Sequence, residues 1–161
     1  MYIKTTIMQQ LQIKINSAPR ILYQLNQLLI QDLNLPLEGE GTYIKYSGGQ
    51  KWAHVKLRIS TVDNQYSRAQ MLNSMAEEFP LKYLNEIKEA VELFINHYEG
   101  ITGEIFIAQF ELLDATHHPS ETGMDNFQFA VANAILNAFN TSLHEPNTEA
   151  VQQYKMRREK K

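Results

Sequence analysis

Between Glu40 and Val55 the chain reads Glu40-Gly41-Thr42-Tyr43-Ile44-Lys45-Tyr46-Ser47-Gly48-Gly49-Gln50-Lys51-Trp52-Ala53-His54-Val55. An alternating segment meets a doubled glycine and then a second alternating segment. Successive side chains of a strand face opposite ways, and a tight connection needs residues that tolerate positive φ. The pattern therefore predicts a β-hairpin, with strands over Thr42–Tyr46 and Trp52–Ile59 and with Val55, Leu57 and Ile59 on one face. A hairpin alone does not bury enough surface to be stable, so the rest of the chain must supply a layer to cover it.

That layer is readable in the apolar spacing. Leu84, Ile87, Val91, Phe94, Ile95 and Tyr98 form an amphipathic helical stripe, with Gly100 as its expected C-cap. Glu104–Asp114 is a largely apolar strand, expected at a central position. Asp125 followed by Gln128 resembles a capping box at the head of a second helix. Along that helix Ala130, Ala134 and Ala138 are small enough to let it approach a sheet closely. Thr6–Ile15 alternates as a strand, and Ile21 to Leu33 is a helical stripe entered through Pro19. Ser67–Phe79 is read as a further helix, broken at Pro80. Strands interleaved with helices around an antiparallel hairpin give an α+β fold, a two-layer sandwich with helices on one sheet face.

Composition narrows the function. The chain has 161 residues, 43% of them hydrophobic and 20% charged, which is enough for one domain with a real core. No apolar run spans a bilayer and no signal peptide is evident, so the expectation is a cytoplasmic protein without membrane contact. Cysteine is absent, which removes disulfides and thiolate metal sites. A net charge of −3 argues against phosphate binding over the whole surface. Local cations remain: Lys45, Lys51, His54, Lys56 and Arg58 on the hairpin, and Lys155, Arg157, Arg158, Lys160 and Lys161 at a C-terminus read as a solvated end.

A second polar tip follows the central strand. Phe110-Glu111-Leu112-Leu113-Asp114 runs into Ala115-Thr116-His117-His118-Pro119-Ser120, then into the alanine-rich helix and on to His144-Glu145-Pro146. The order and spacing of the two tips, the helices and the closing Glu-Pro resemble the fourth domain of elongation factor G and of the tetracycline ribosomal-protection proteins. The resemblance covers residues 40–146. It implies a left-handed βαβ sandwich shared with a small-subunit ribosomal protein, a ribonuclease protein subunit and sugar kinases. It also implies a role in translation, with both tips reaching ribosomal RNA. Residues 1–39 have no counterpart there and are expected to be integral to the domain, with 147–161 as a polar tail. The first tip is one residue shorter than the family's, and Pro119-Ser120-Glu121-Thr122-Gly123 departs from its second tip. No Gly-x-x-x-x-Gly-Lys-Ser/Thr loop exists, so the nucleotide chemistry of the parent factors is not expected.

The expected function is that of a stand-alone, non-catalytic domain binding the ribosome or structured RNA. The contact candidates are Lys45, Tyr46, Ser47, Gly48, Gly49, Gln50, Lys51, Trp52, His54, Thr116, His117, His118 and Ser120. Each has a plainer reading. Ser47-Gly48-Gly49 is explained by a hairpin turn, Tyr46 and Trp52 either stack on bases or pack across the hairpin, and the His117–His118 loop is either an RNA contact or a solvated tip. Adjacent histidines on an extended segment point apart, which disfavours a shared metal. No nucleophile, base and orienter set is recognisable, so neither an enzyme nor a cofactor is expected. A protein-interaction module is the alternative.

Overall fold

The computed structural model describes residues 35–46, 49, 51–60, 70–103 and 108–159. The expected Thr6–Ile15 strand and Ile21–Leu33 helix, with Ser47, Gly48 and Gln50, lie outside these residues. The elements are β1 (Leu37–Ile44), β2 (Trp52–Ser60), β3 (Gln70–Asn73), α1 (Leu81–Thr102), β4 (Gln109–His117), α2 (Asn126–Phe139) and α3 (Thr148–Glu159). They form a mixed sheet in the order β1-β2-β4-β3, with β1–β2 and β2–β4 antiparallel and β3–β4 parallel. β4 is interior, as its apolar run requires.

The hairpin forms, but its first strand runs Leu37–Ile44 rather than the expected Thr42–Tyr46, with Ile44 pairing with Trp52 and Leu37 with Ile59, and Gly49 takes φ 107 in the turn. Ala53, Val55, Leu57 and Ile59 of β2 join Phe110, Leu112 and Ala115 of β4 on one sheet face. Against that face lie Ile87, Val91, Phe94 and Ile95 of α1 and Phe127, Ala130, Val131, Ala134 and Ile135 of α2, which gives the two-layer α+β sandwich.

Three local readings are corrected. Ser67–Phe79 is not helical where described: Gln70–Asn73 is a strand, and Asn73 Oδ1 accepts the Met75 N–H at 3.0 Å, turning the chain. Pairing with an apolar central strand overrides the weak helical spacing of Met71, Leu72 and Met75. α1 runs past Gly100 to Gly103, which adopts φ 71 and closes the helix. Asp125 precedes α2 but makes no side-chain cap and has φ 65. Glu86 of α1 reaches across instead, and its Oε1 accepts the Phe127 N–H at 3.2 Å.

α2 lies directly on β1. A Cβ at Gly41 would stand 2.0 Å from the Ala130 carbonyl, and one at Gly39 would stand 2.0 Å from that of Ala134. Strand glycines facing helix alanines let the two backbones meet. At that distance α2 also covers the sheet edge. Asn137 Oδ1 accepts the Glu40 N–H at 3.0 Å, Asn133 Nδ2 donates to the Thr42 carbonyl at 2.8 Å, and His144 Nε2 accepts the Thr42 N–H at 3.2 Å. The edge groups that invite aggregation are thus occupied.

Candidate nucleic-acid interface

Both tips emerge at one pole of the sheet. β2 starts beside the end of β1, and Ala53 of β2 pairs with His117 at the end of β4. The loop after β4 is fastened to the hairpin. Thr122 Oγ1 donates to the Trp52 carbonyl at 2.5 Å and accepts the His118 N–H at 2.7 Å. Asn126 Oδ1 accepts both the Trp52 N–H at 3.2 Å and the Gly123 N–H at 2.7 Å. His118 Nδ1 accepts the Ser120 and Glu121 N–H groups at 3.3 and 3.2 Å.

A bulge decides which way the histidines face. Lys56 pairs with Asp114 but Leu57 pairs with Leu112, so Leu113 is an extra residue in β4. Beyond it the parity reverses: His117 joins the helix side, and Asp114, Thr116 and His118 turn to the other face. The His117 ring lies 5.4 Å from Phe79 and 5.1 Å from Tyr83. Burial holds its pKa below the ordinary value, and the positive Arg158 and Lys82 push the same way. The His118 ring lies 6.2 Å from Trp52 and 5.3 Å from Tyr154. The pair is therefore split across the sheet. Among the described residues no group of three or more His, Asp or Glu is arranged to hold a metal ion.

Three candidates are not at the surface. His54 is fully buried, its Nε2 2.7 Å from Glu40 Oε1 and its Nδ1 3.2 Å from Thr116 Oγ1. That row joins β1, β2 and β4, and the hydrogen bond from His54 lowers the Glu40 pKa. Thr116 is 2% exposed and Trp52 4%. The burial of Trp52 follows from α3, which replaces the expected solvated tail with a helix on the sheet face opposite α1 and α2. Tyr154 sits 4.8 Å from the Trp52 ring, Val151 is buried, and Lys155 forms an ion pair with Asp114.

What remains open at the pole is Lys45, Tyr46, Gly49 and Ser120, with Lys51 and His118 half-buried. Lys45 Nζ lies 5.5 Å from the Tyr43 ring, and Lys82, at the head of α1, stands 4.8 Å from the Tyr83 ring. Farther down the sheet, Lys56 and Arg58 face Glu38 at 3.7 and 3.6 Å, and Arg58 also meets Glu111 at 3.3 Å. Among the described residues the hairpin cations therefore divide into an ion-paired set on the strand and a set at the tip, Lys45 and Lys51, without an ion pair. Alternation alone did not reveal that split, because the acidic partners come from β1 and β4.

No family model matches the sequence, and no curated protein does. Among solved structures, the crystal structure of a protein from Thermus thermophilus shares the fold at a TM-score of 0.54 and 19% identity. The match covers 70% of this chain and 16% of that one, so this chain spans about a sixth of the larger protein's length. The likeness is one of fold. No helix among the described residues is long and apolar enough to cross a membrane.

Proposed function

We propose that this chain is a non-catalytic domain that binds the ribosome or another structured RNA through its two joined tips, in the manner of the fourth domain of elongation factor G and of the ribosomal-protection proteins. The observation that carries the reading is the fastening of the second tip to the first through Thr122, Asn126 and the Trp52 backbone. Bonds from the second tip to the first residue of β2 hold that tip beside the hairpin, and such preorganisation lowers the ordering entropy that binding would otherwise take up. Lys45 and Lys51 are positioned for phosphates, and His118 for base edges or sugar hydroxyls. Nothing in the proposal involves nucleotide hydrolysis.

With two or three phosphate contacts, log affinity against log salt should have a shallow slope of about −2 to −3. Co-sedimentation with small ribosomal subunits at two salt concentrations tests this. Absence of binding at low salt overturns the reading.

One observation favours the alternative, a protein-docking head. Tyr46 is 82% exposed and Met124 88%, at the same pole. Binding to subunits that survives Lys45→Ala and Lys51→Ala without a change in salt slope would favour it.

A further inference from the structure

We infer that RNA lies on the helix side of the tip pole, and that Lys82, in the first turn of α1, is a third phosphate contact there beside Lys45 and Lys51. The inference rests on the RNA reading above and adds to it a face and a residue remote in sequence from both tips.

Strand parity fixes which way the hairpin lysines face. Ala53 and Val55 of β2 belong to the core under α1 and α2, whereas Trp52 and His54 turn to the α3 side. Lys51, one residue before Trp52, therefore falls on the helix side. Lys45 agrees, because its Nζ lies 5.5 Å from the Tyr43 ring, which stacks at 4.5 Å on Phe129 of α2. The Lys45 N–H donates to the Lys51 carbonyl at 3.0 Å and holds the two backbones together. Lys82 arrives on the same side by another route. Its neighbour Tyr83 packs its ring 5.0 Å from Phe127, at the start of α2, and 5.1 Å from His117, at the end of β4. Those contacts set the first turn of α1 at the tip pole. Lys82 itself is exposed, with Nζ 4.8 Å from the Tyr83 ring.

The charge on the two faces decides between them. On the α3 side Lys155 is paired with Asp114, and Arg158 shares a cavity with Glu77, Asp114 and Glu159. On the helix side Lys45, Lys51 and Lys82 have no ion pair among the described residues, and the first turn of α1 holds no acid. The acids at the entry to α2 are Asp125, which is exposed, and Glu86, which is half-buried with its Oε1 occupied by the Phe127 N–H. Three cations around one exposed carboxylate make a local positive surface on a chain of net charge −3. Lysine meets phosphate as a point charge, so these contacts hold the RNA backbone and do not read sequence. His118 sits at the other rim of the same pole, and a strand anchored on the lysines crosses the end of the sheet to reach it.

Co-sedimentation with purified small ribosomal subunits over a series of salt concentrations tests this, using the full chain and its Lys82→Ala, Lys82→Arg and Arg157→Ala variants. Arg157 is exposed in the last turn of α3, on the opposite face, and serves as the reference. Each phosphate contact contributes about 0.7–0.9 to the slope of log affinity against log salt, so Lys82→Ala should weaken binding roughly five- to eightfold at about 0.1 M salt and make the slope shallower by about 1. Lys82→Arg keeps the charge and should bind like the parent, and Arg157→Ala should leave affinity and slope unchanged. Unchanged affinity and slope in Lys82→Ala, binding by Lys82→Arg as weak as by Lys82→Ala, or an equal loss in Arg157→Ala overturns the helix-side face. If Lys45→Ala with Lys51→Ala still makes the slope shallower in that case, the tip reading stands without it. If the full chain does not sediment with subunits at low salt, both fall.

Discussion

Gly41→Ala is the sharpest test of how this domain is assembled. The added methyl would stand 2.0 Å from the Ala130 carbonyl oxygen and 2.3 Å from the Ala134 nitrogen, where ordinary contact begins near 3.4 Å. Both neighbours are backbone, so no rotamer change or trimmed side chain relieves the clash, and α2 must move by about 1.4 Å. A shift of that size takes the Glu40–Asn137, Asn133–Thr42 and Thr42–His144 hydrogen bonds, now 2.8 to 3.2 Å, out of range. Overpacking costs about 1–3 kcal/mol and each of the three lost bonds about 1 kcal/mol, so the variant should lose about 4–6 kcal/mol. Against a typical domain stability of about 5–15 kcal/mol, that is a large fraction. Urea unfolding followed by circular dichroism measures it. Gly41 does not have positive φ, so backbone strain adds nothing and the whole effect is the contact with α2. A loss under about 1 kcal/mol would show that the helix does not approach the strand as described.

Phe94→Ala should cost about 3–5 kcal/mol in the same assay, because the ring is 1% exposed and lies 5.8 Å from Phe110; a loss well under 1 kcal/mol would refute its core position. Stability should also fall on acidification below the ordinary histidine value of 6.5, because burial depresses the His144, His97 and His117 pKa values. A group with a depressed folded pKa leaves stability intact above its unfolded value and loses it as pH falls toward the folded one, and for His144 protonation also removes the acceptor of the Thr42 N–H. His144→Asn should therefore flatten the dependence of the urea midpoint on pH between about 7 and 5, and an unchanged slope would remove His144 from that account. Lys45→Ala with Lys51→Ala should make the salt slope of subunit binding shallower by about 2, whereas His118→Ala should lower affinity with little change of slope. The reverse assignment would overturn the division of roles at the tip.

Much of the architecture follows from local pattern. Alternation on either side of Gly48-Gly49 is sufficient for a hairpin, and the stripe from Ile87 to Ile95 is sufficient for a helix with one apolar face, because period and burial are coupled along a short segment. Ala130, Ala134 and Ala138 announce a close approach, and Gly39 and Gly41 are its other half, in plain view as Gly-x-Gly on β1. The doubled Leu112-Leu113 is the trace of the bulge, since it breaks the alternation where the register shifts.

Other features depended on partners remote in sequence. Gln70–Asn73 is a strand because β4 offers it an edge, and four residues carry too weak a preference to reveal that alone. The His54 imidazole is buried by what crosses it from Glu40 and Thr116, while Lys56 two residues on is solvated and paired; nothing in the His-Val-Lys spacing distinguishes them. The last twelve helical residues have almost no amphipathic signal, so their sequence resembles a tail. Their place over Trp52 comes from the Tyr154 ring, Val151, the Lys155–Asp114 ion pair and the Asn147 N–H that donates to Thr42 Oγ1 just ahead of the helix, and it is the tertiary structure that turns the tip's aromatic face from an exposed platform into a covered one.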